Sequence, residues 1–260
     1  MSWIEITALI VSGLLVGFIN TLAGGGSIIS ISLFMFLGLP AGVANGTNRI
    51  AVILQTITSS ASFKKQKVLD TRKGLLLGIP TVIGSVIGAE IAVDINEDIF
   101  EKAIAVIMLI MMIFIIYKPQ QWLKGQQHLM EKKTSVLQYF VFFLIGLYGG
   151  FIHVGVGYFI LGGLVLGAGY DLVKANALKV FIVLLYAPFT LLVFIYNKQI
   201  NYEYGLIHAI GNIIGAYVAS RFAVSWGANF VRWVIIVVIL ISSAQLFGLF
   251  DFKTLFKSFL

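Results

Sequence analysis

Apolar residues in this chain come in long blocks, broken by short polar stretches. The blocks fall at 6–22, 28–39, 45–63, 74–93, 103–117, 136–152, 158–168, 176–196, 205–222 and 233–250. About 20 apolar residues make a helix that crosses the hydrocarbon core of a bilayer. The pattern therefore predicts an all-α integral membrane protein of about ten hydrophobic segments. Two blocks, 28–39 and 158–168, are short: about 12 helical residues cover roughly 18 Å against a core of about 30 Å. They predict broken or half-spanning helices, which place irregular backbone at depth where it lines protein or a cavity.

The polar stretches set orientation. Lys64, Lys65, Lys67, Arg72 and Lys73 crowd one loop, opposed by Asp70. Lys118, Lys124, Lys132 and Lys133 occupy another, opposed by Glu131. The stretch between them carries Asp94, Glu97, Asp98 and Glu101. An excess of Lys and Arg marks cytoplasmic loops, so loops 64–73 and 118–135 are expected in the cytoplasm of a multi-pass plasma (inner) membrane protein. The formal net charge of +7 is thereby read as topology and not as nucleic-acid binding.

Composition narrows the classes further. Only 11% of the 260 residues are charged and 59% are hydrophobic, where soluble domains carry about 25% charge. A single soluble domain, a disordered chain and a disulfide-stapled module are excluded. No cysteine means no thiol redox chemistry, and three histidines without cysteine make a zinc site unexpected. No metal, cofactor or nucleic acid is expected; lipid and a small anion are the expected partners, and a homo-oligomer is compatible with the sequence. The N-terminus, Met1-Ser2-Trp3-Ile4-Glu5, lacks the basic start of a cleaved signal peptide.

The chain also repeats itself. A shift of 131 aligns residues 24–84 with 155–215 without gaps, and 16 of 61 positions are identical, where chance in so apolar a composition gives about five or six. Gly24 pairs with Gly155, Gly26 with Gly157, Gly38 with Gly169, Ala44-Asn45 with Ala175-Asn176, and Lys67 with Lys198. This divides the chain into a first transmembrane repeat (1–117), a basic cytoplasmic linker (118–135) and a second repeat (136–260). Five crossings per half would make the repeats inverted, the plan of many secondary transporters, with the short Gly-interrupted segments at the binding site.

Candidate chemistry sits at matching places in the two halves. Asn20, Gly24, Gly25, Gly26 and Ser27 precede the first short segment; the glycines allow close backbone approach and leave N–H groups free at a helix start. Gly155, Gly157 and Tyr158 are their counterparts. Tight helix packing is the alternative reading of such small residues. Asn45, Thr47, Asn48 and Arg49 form a second cluster, answered by Asn176 and Lys179. Those side chains serve either as a helix cap with a headgroup-anchored cation or as contacts to an anion. His153 is either a proton-coupling group or a donor to a nearby carbonyl. Glu90 and Arg221 are expected to reach the membrane interface. No catalytic signature occurs: His-Glu-x-x-His, Gly-x-Ser-x-Gly and a Walker loop are all absent.

Asn20-x-x-Ala23-Gly24-Gly25-Gly26-Ser27, then Leu37-Gly38-Leu39-Pro40 and Ala44-Asn45-Gly46-Thr47-Asn48, resemble the first-half signature of the TauE/SafE sulfite exporter family. Gly149-Gly150, Gly155-x-Gly157 and Ala175-Asn176-Ala177-Leu178-Lys179 are similar to a branch of it. The resemblance implies a plasma-membrane carrier, not an enzyme, for small sulfur oxyanions, sulfonates or organic acids. His153 and Lys179 depart from the family pattern and alter the charge and size of the site. The expectation is a transporter working by alternating access; the rivals are an anion channel on the same scaffold and an intramembrane enzyme using Ser27 or His153.

Overall fold

The computed structural model describes residues 1–93, 125–130 and 133–246, and every regular element among them is helical. The apolar block at 103–117, the acidic stretch at 94–101, part of the linker and residues 247–260 lie outside the described residues. The elements are α1 (Trp3–Leu22), α2 (Ser27–Phe36), α3 (Ala41–Lys65), α4 (Thr71–Val93), a short α5 (Gln127–Met130), α6 (Val136–Phe151), α7 (Val156–Gly162, continuing as a π turn over Gly163–Gly167), α8 (Leu172–Tyr196) and α9 (Tyr202–Leu246).

Local chemistry starts these helices. Ser2 with Glu5, and Ser135 with Gln138, form reciprocal capping boxes at α1 and α6. Asp171 accepts from the N–H groups of Val173 and Lys174, both at 3.0 Å, and starts α8. Pro40 occupies the N-cap of α3. Both α3 and α8 thus begin four residues earlier than the apolar pattern predicts. Residues 45–49 and 176–179 lie inside helices and do not cap them. The blocks at 205–222 and 233–246 are two helical segments of α9 that meet at Gly227, whose φ of 73° and ψ of −173° are not helical.

Among the described residues, four helices are long and apolar enough to cross a membrane: α1, α4, α8 and the Tyr202–Val237 part of α9. Helix α3 has 25 residues but is less apolar than these four, and its polar residues point inward: Asn45, Thr47, Asn48, Arg49, Gln55, Thr56, Ser59 and Ser60 are all buried. Helix α2 has 10 residues and the Val156–Gly167 segment 12, so both stay short as the sequence predicts.

The repeat is visible in the backbone. Adding 131 to the bounds of α3 returns the bounds of α8. Left-handed residues recur at the same spacing: Gly24 and Gly155 (φ 92° and 74°), Gly38 and Gly169 (92° and 80°), Lys67 and Lys198 (60° and 57°). The lysines follow the C-caps of α3 and α8, a place where glycine is usual because a Cβ is strained there.

The two halves interlock. Helix α9 packs along α1 and α3, while α4 packs along α6 and α8, so each half lends a helix to the other; α3 and α8 meet at the centre. Paired glycines allow the closest crossings. Gly13 and Gly17 of α1 lie against the backbone of His208 and Asn212, and Gly211 and Gly215 of α9 lie against that of Ile10 and Leu14. Gly84 and Gly88 of α4 face Phe143 and Leu147, and Gly146 and Gly150 of α6 face Thr81 and Ser85. Four Gly-x-x-x-Gly pairs thus form two reciprocal interfaces, where close backbone approach replaces the hydrophobic effect that lipid does not supply.

Candidate functional site

The two glycine loops touch at the centre. A Cβ on Gly24 would lie 2.5 Å from Cα of Gly157, and one on Gly157 would lie 2.5 Å from Cα of Gly24. The start of α2 and the start of α7, one from each half, are therefore in backbone contact. The ring of Tyr158 lies against Gly25, within 2.8 Å of where its Cβ would stand, and Asn20 Oδ1 is 3.1 Å from the corresponding point on Gly26.

Both central helices carry a buried cation, and each cation holds the end of the first helix in the other half. Arg49 Nη1 donates to Gly149 O (2.7 Å) and Nη2 to Gly150 O (2.8 Å), at the C-terminus of α6. Asn45 Nδ2 donates to Phe151 O at 3.0 Å, and its Oδ1 accepts from Arg49 Nη2 at 3.4 Å. Lys179 Nζ donates to Asn20 O (2.9 Å) and Thr21 O (2.8 Å), at the C-terminus of α1, and to Asn176 Oδ1 (2.6 Å). Arg49 lies about 12 Å along α3 from its start and Lys179 about 10 Å along α8 from its start. Both are fully or almost fully buried, at 0% and 1% exposure.

The anchored-cation reading of Arg49 is thereby corrected. Helix α3 starts at Ala41, so position 49 falls in its third turn, fully buried under Phe194 and against α6. Among the described residues no carboxylate answers either charge, and the one ion pair is Lys174 with Asp171. Helix C-termini, whose unpaired carbonyls carry about half a negative charge, take that place.

A small cavity lies between these parts, lined by Asn20, Gly24, His153, Gly157 and Lys179, together with Gln55, Thr56, Val156, Val180 and Val183. It has about 10 Å³ of room for the centre of a water molecule, which is space for about one water. His153 joins it to the first cation: its Nδ1 lies 3.2 Å from Arg49 Nη1 and 3.0 Å from the Tyr186 hydroxyl. Buried side-chain atoms without a hydrogen-bond partner include Oδ1 of Asn20 and Oε1 of Gln55, whose residues line the cavity; both amide atoms of Asn48, Nδ2 of Asn176, Nε of Arg49, the Tyr158 hydroxyl and, on α9, Oδ1 of Asn212 are others. Each such atom costs about 1–3 kcal/mol when left unpaired, so the two that belong to the cavity lining call for a water or another polar partner.

Not every candidate is free for a ligand. The Thr47 hydroxyl accepts from Asn201 N–H (2.9 Å) and ties α3 to the loop before α9. Ser27 accepts from Asn20 Nδ2 at 3.1 Å, and the N-cap of α2 is Gly26 without a side-chain cap. Asn45 is occupied by the end of α6. His208 is a buried structural link: Nδ1 bonds Leu9 O (2.9 Å) and Nε2 bonds Ser30 Oγ (2.8 Å). Glu90 and Arg221 are exposed on helix surfaces. Gln55, Thr56 and Tyr186 were not among the sequence candidates; the signal for the first two was a polar pair inside the apolar run after Asn48, followed four residues later by Ser59-Ser60.

The start of α4 is tied to the loop ahead of α8. Asp70 accepts from the Tyr170 hydroxyl at 2.7 Å, and burial together with this carboxylate raises the phenol above its usual pKa.

Residues 9–246 match the family described as Sulfite exporter TauE/SafE. The chain belongs to the TauE/SafE family of membrane transporters. Relatives agree along nearly their whole length. "Probable membrane transporter protein ORF9" of Sinorhizobium sp is 26% identical, over 88% of this chain and 87% of that one. "Probable membrane transporter protein" of Haemophilus influenzae is 23% identical, over 90% and 91%. "Probable membrane transporter protein YfcA" of Escherichia coli is 25% identical, over 90% and 86%. No solved structure matches this TauE/SafE chain.

Proposed function

We propose that this TauE/SafE transporter carries a small anion across the plasma membrane by alternating access, with the two halves acting as inverted repeats. One observation carries the reading: two cations are buried at the centre and, among the described residues, no carboxylate pairs with either. Burying a charge costs several kcal/mol even after relaxation. Two helix C-termini offset about half a charge each, which leaves roughly one positive charge at the centre for an anion to answer. The donors around it are the free N–H groups of Gly25 and Gly26, the Tyr158 hydroxyl, the Asn48 and Asn176 amides and Arg49 Nε, with Lys179 for charge. Asn45 and Thr47 hold the frame.

The cavity has room for about one water, so a polyatomic anion would enter it only after the surrounding helices shift, as alternating access requires. The family is described as a sulfite exporter family, so sulfite is the first substrate in this reading, with sulfonates and small organic acids next by chemistry. The basic loops 64–73 and 118–135 stay on the cytoplasmic side in this reading, and no enzyme chemistry is assigned. The test is flux into proteoliposomes over a panel of sulfite, methanesulfonate, acetate and sodium ion. Saturable anion flux that is lost in Lys179→Met, with the variant still folded, is the expected result. Cation flux, or anion flux that Lys179→Met leaves intact, would sink the assignment; flux that never saturates would favour a channel.

A further inference from the structure

We propose that His153 is a neutral hydrogen-bond donor to the carried anion, with its proton held on Nε2 by Arg49 and Tyr186; this rests on the anion reading above. The argument is an inventory of donors. A guanidinium has N–H groups only and never accepts a hydrogen bond. Arg49 Nη1 stands 3.2 Å from His153 Nδ1, and Arg49 is locked in that place by two carbonyls of α6. Nδ1 must therefore present its lone pair, and the Tyr186 hydroxyl at 3.0 Å fits as a second donor to the same atom. The bond made by one ring nitrogen decides the state of the other, so the single ring proton sits on Nε2. No described protein group accepts from Nε2, and His153 lines the cavity beside Lys179 and Gly157.

The groups around the ring exclude the role of proton carrier. Arg49 faces it from α3, Tyr186 from α8 and Lys179 across the cavity, while the Tyr148 hydroxyl on α6 is turned away to Val154 O. A proton added at Nδ1 would meet a fixed cation and, among the described residues, no carboxylate. Arg49 and Tyr186 act here as positioning residues, and His153 touches the substrate.

Glutamine and asparagine separate the two ring nitrogens, because Gln places an N–H near Nε2 and Asn places a polar atom near Nδ1. The experiment measures methanesulfonate binding to the purified full chain, since that probe keeps one charge at every working pH. Wild type, H153Q, H153N and H153L are compared from pH 5.5 to 8. H153Q is expected to bind within about threefold of wild type, and H153N and H153L about tenfold or more weaker, as for loss of one hydrogen bond to a charged group. Wild-type affinity is expected to be flat with pH. H153N outperforming H153Q, or a wild-type pH dependence that H153Q abolishes, overturns the assignment alone. A wild-type protein that binds neither methanesulfonate nor sulfite overturns the anion reading and the assignment with it. Nitrogen NMR on histidine-labelled wild type needs no variant: the ring whose signals move on adding methanesulfonate must carry its proton on Nε2, and a proton found on Nδ1 refutes the proposal.

Discussion

Gly157→Ala tests the central contact between the halves. The new Cβ would stand 2.5 Å from Cα of Gly24 and 3.2 Å from its carbonyl carbon and oxygen. Carbon atoms are at ease at about 3.5–4.0 Å, so the two loops must part by about 1 Å. Both sides of the contact are backbone, and neither has a side chain to swing aside. The cost belongs at or above the upper end of overpacking, about 3 kcal/mol. At roughly 2–4 °C per kcal/mol for a chain of this size, the apparent Tm in detergent should fall by about 6–12 °C. The control lies five residues along the same helix. A Cβ on Gly162 meets nothing within 4 Å, and its φ of −56° suits any residue, so Gly162→Ala should hold or raise the Tm through helix propensity. Anion binding should weaken in Gly157→Ala and persist in Gly162→Ala. Equal melting of the two variants would refute the backbone contact and the meeting of the halves that rests on it.

Three further outcomes follow from the geometry. Gly146→Leu puts a large side chain into the backbone of Thr81 on α4 and should unfold or mis-pack the α4–α6 interface, read as lost monodispersity in size-exclusion chromatography, whereas Gly38→Ala touches nothing and should fail only through its φ of 92°. Thr47→Val orphans the N–H of Asn201 and should lower stability by about 1–3 kcal/mol while anion affinity in the folded fraction stays within twofold or so of wild type. Tyr170 has its pKa raised above 10 in the folded chain by burial and by Asp70. The folded state therefore holds that proton while the unfolded chain loses it, and stability should fall as pH rises past about 10, a slope that Tyr170→Phe reduces in a pH series of melts.

Much of the architecture is legible in linear order. Helix lengths follow from runs of apolar residues and their breakers, and the short α2 and the Val156–Gly167 segment show as blocks too brief to span. The repeat is legible because punctuation recurs: Gly24 with Gly155, Gly38 with Gly169 and Lys67 with Lys198 all take left-handed conformations. Helix starts were harder. Pro40 and Asp171 lie several residues ahead of the polar clusters, and a hydropathy pattern cannot tell a polar helix interior from a polar connection.

By itself the sequence determined the solvent, the helical class, the repeat and the residue types gathered at the centre, because each depends on composition or on spacing along one chain. Only the tertiary structure decided what those residues do. Arg49 holds the end of α6 and Lys179 the end of α1, contacts between residues 100 and 159 positions apart. A cation's role depends on what faces it, and here helix carbonyls from the opposite half face both. The tautomer of His153 is likewise set by a guanidinium 104 residues away. Such pairings follow from how the halves interlock, which no local pattern encodes.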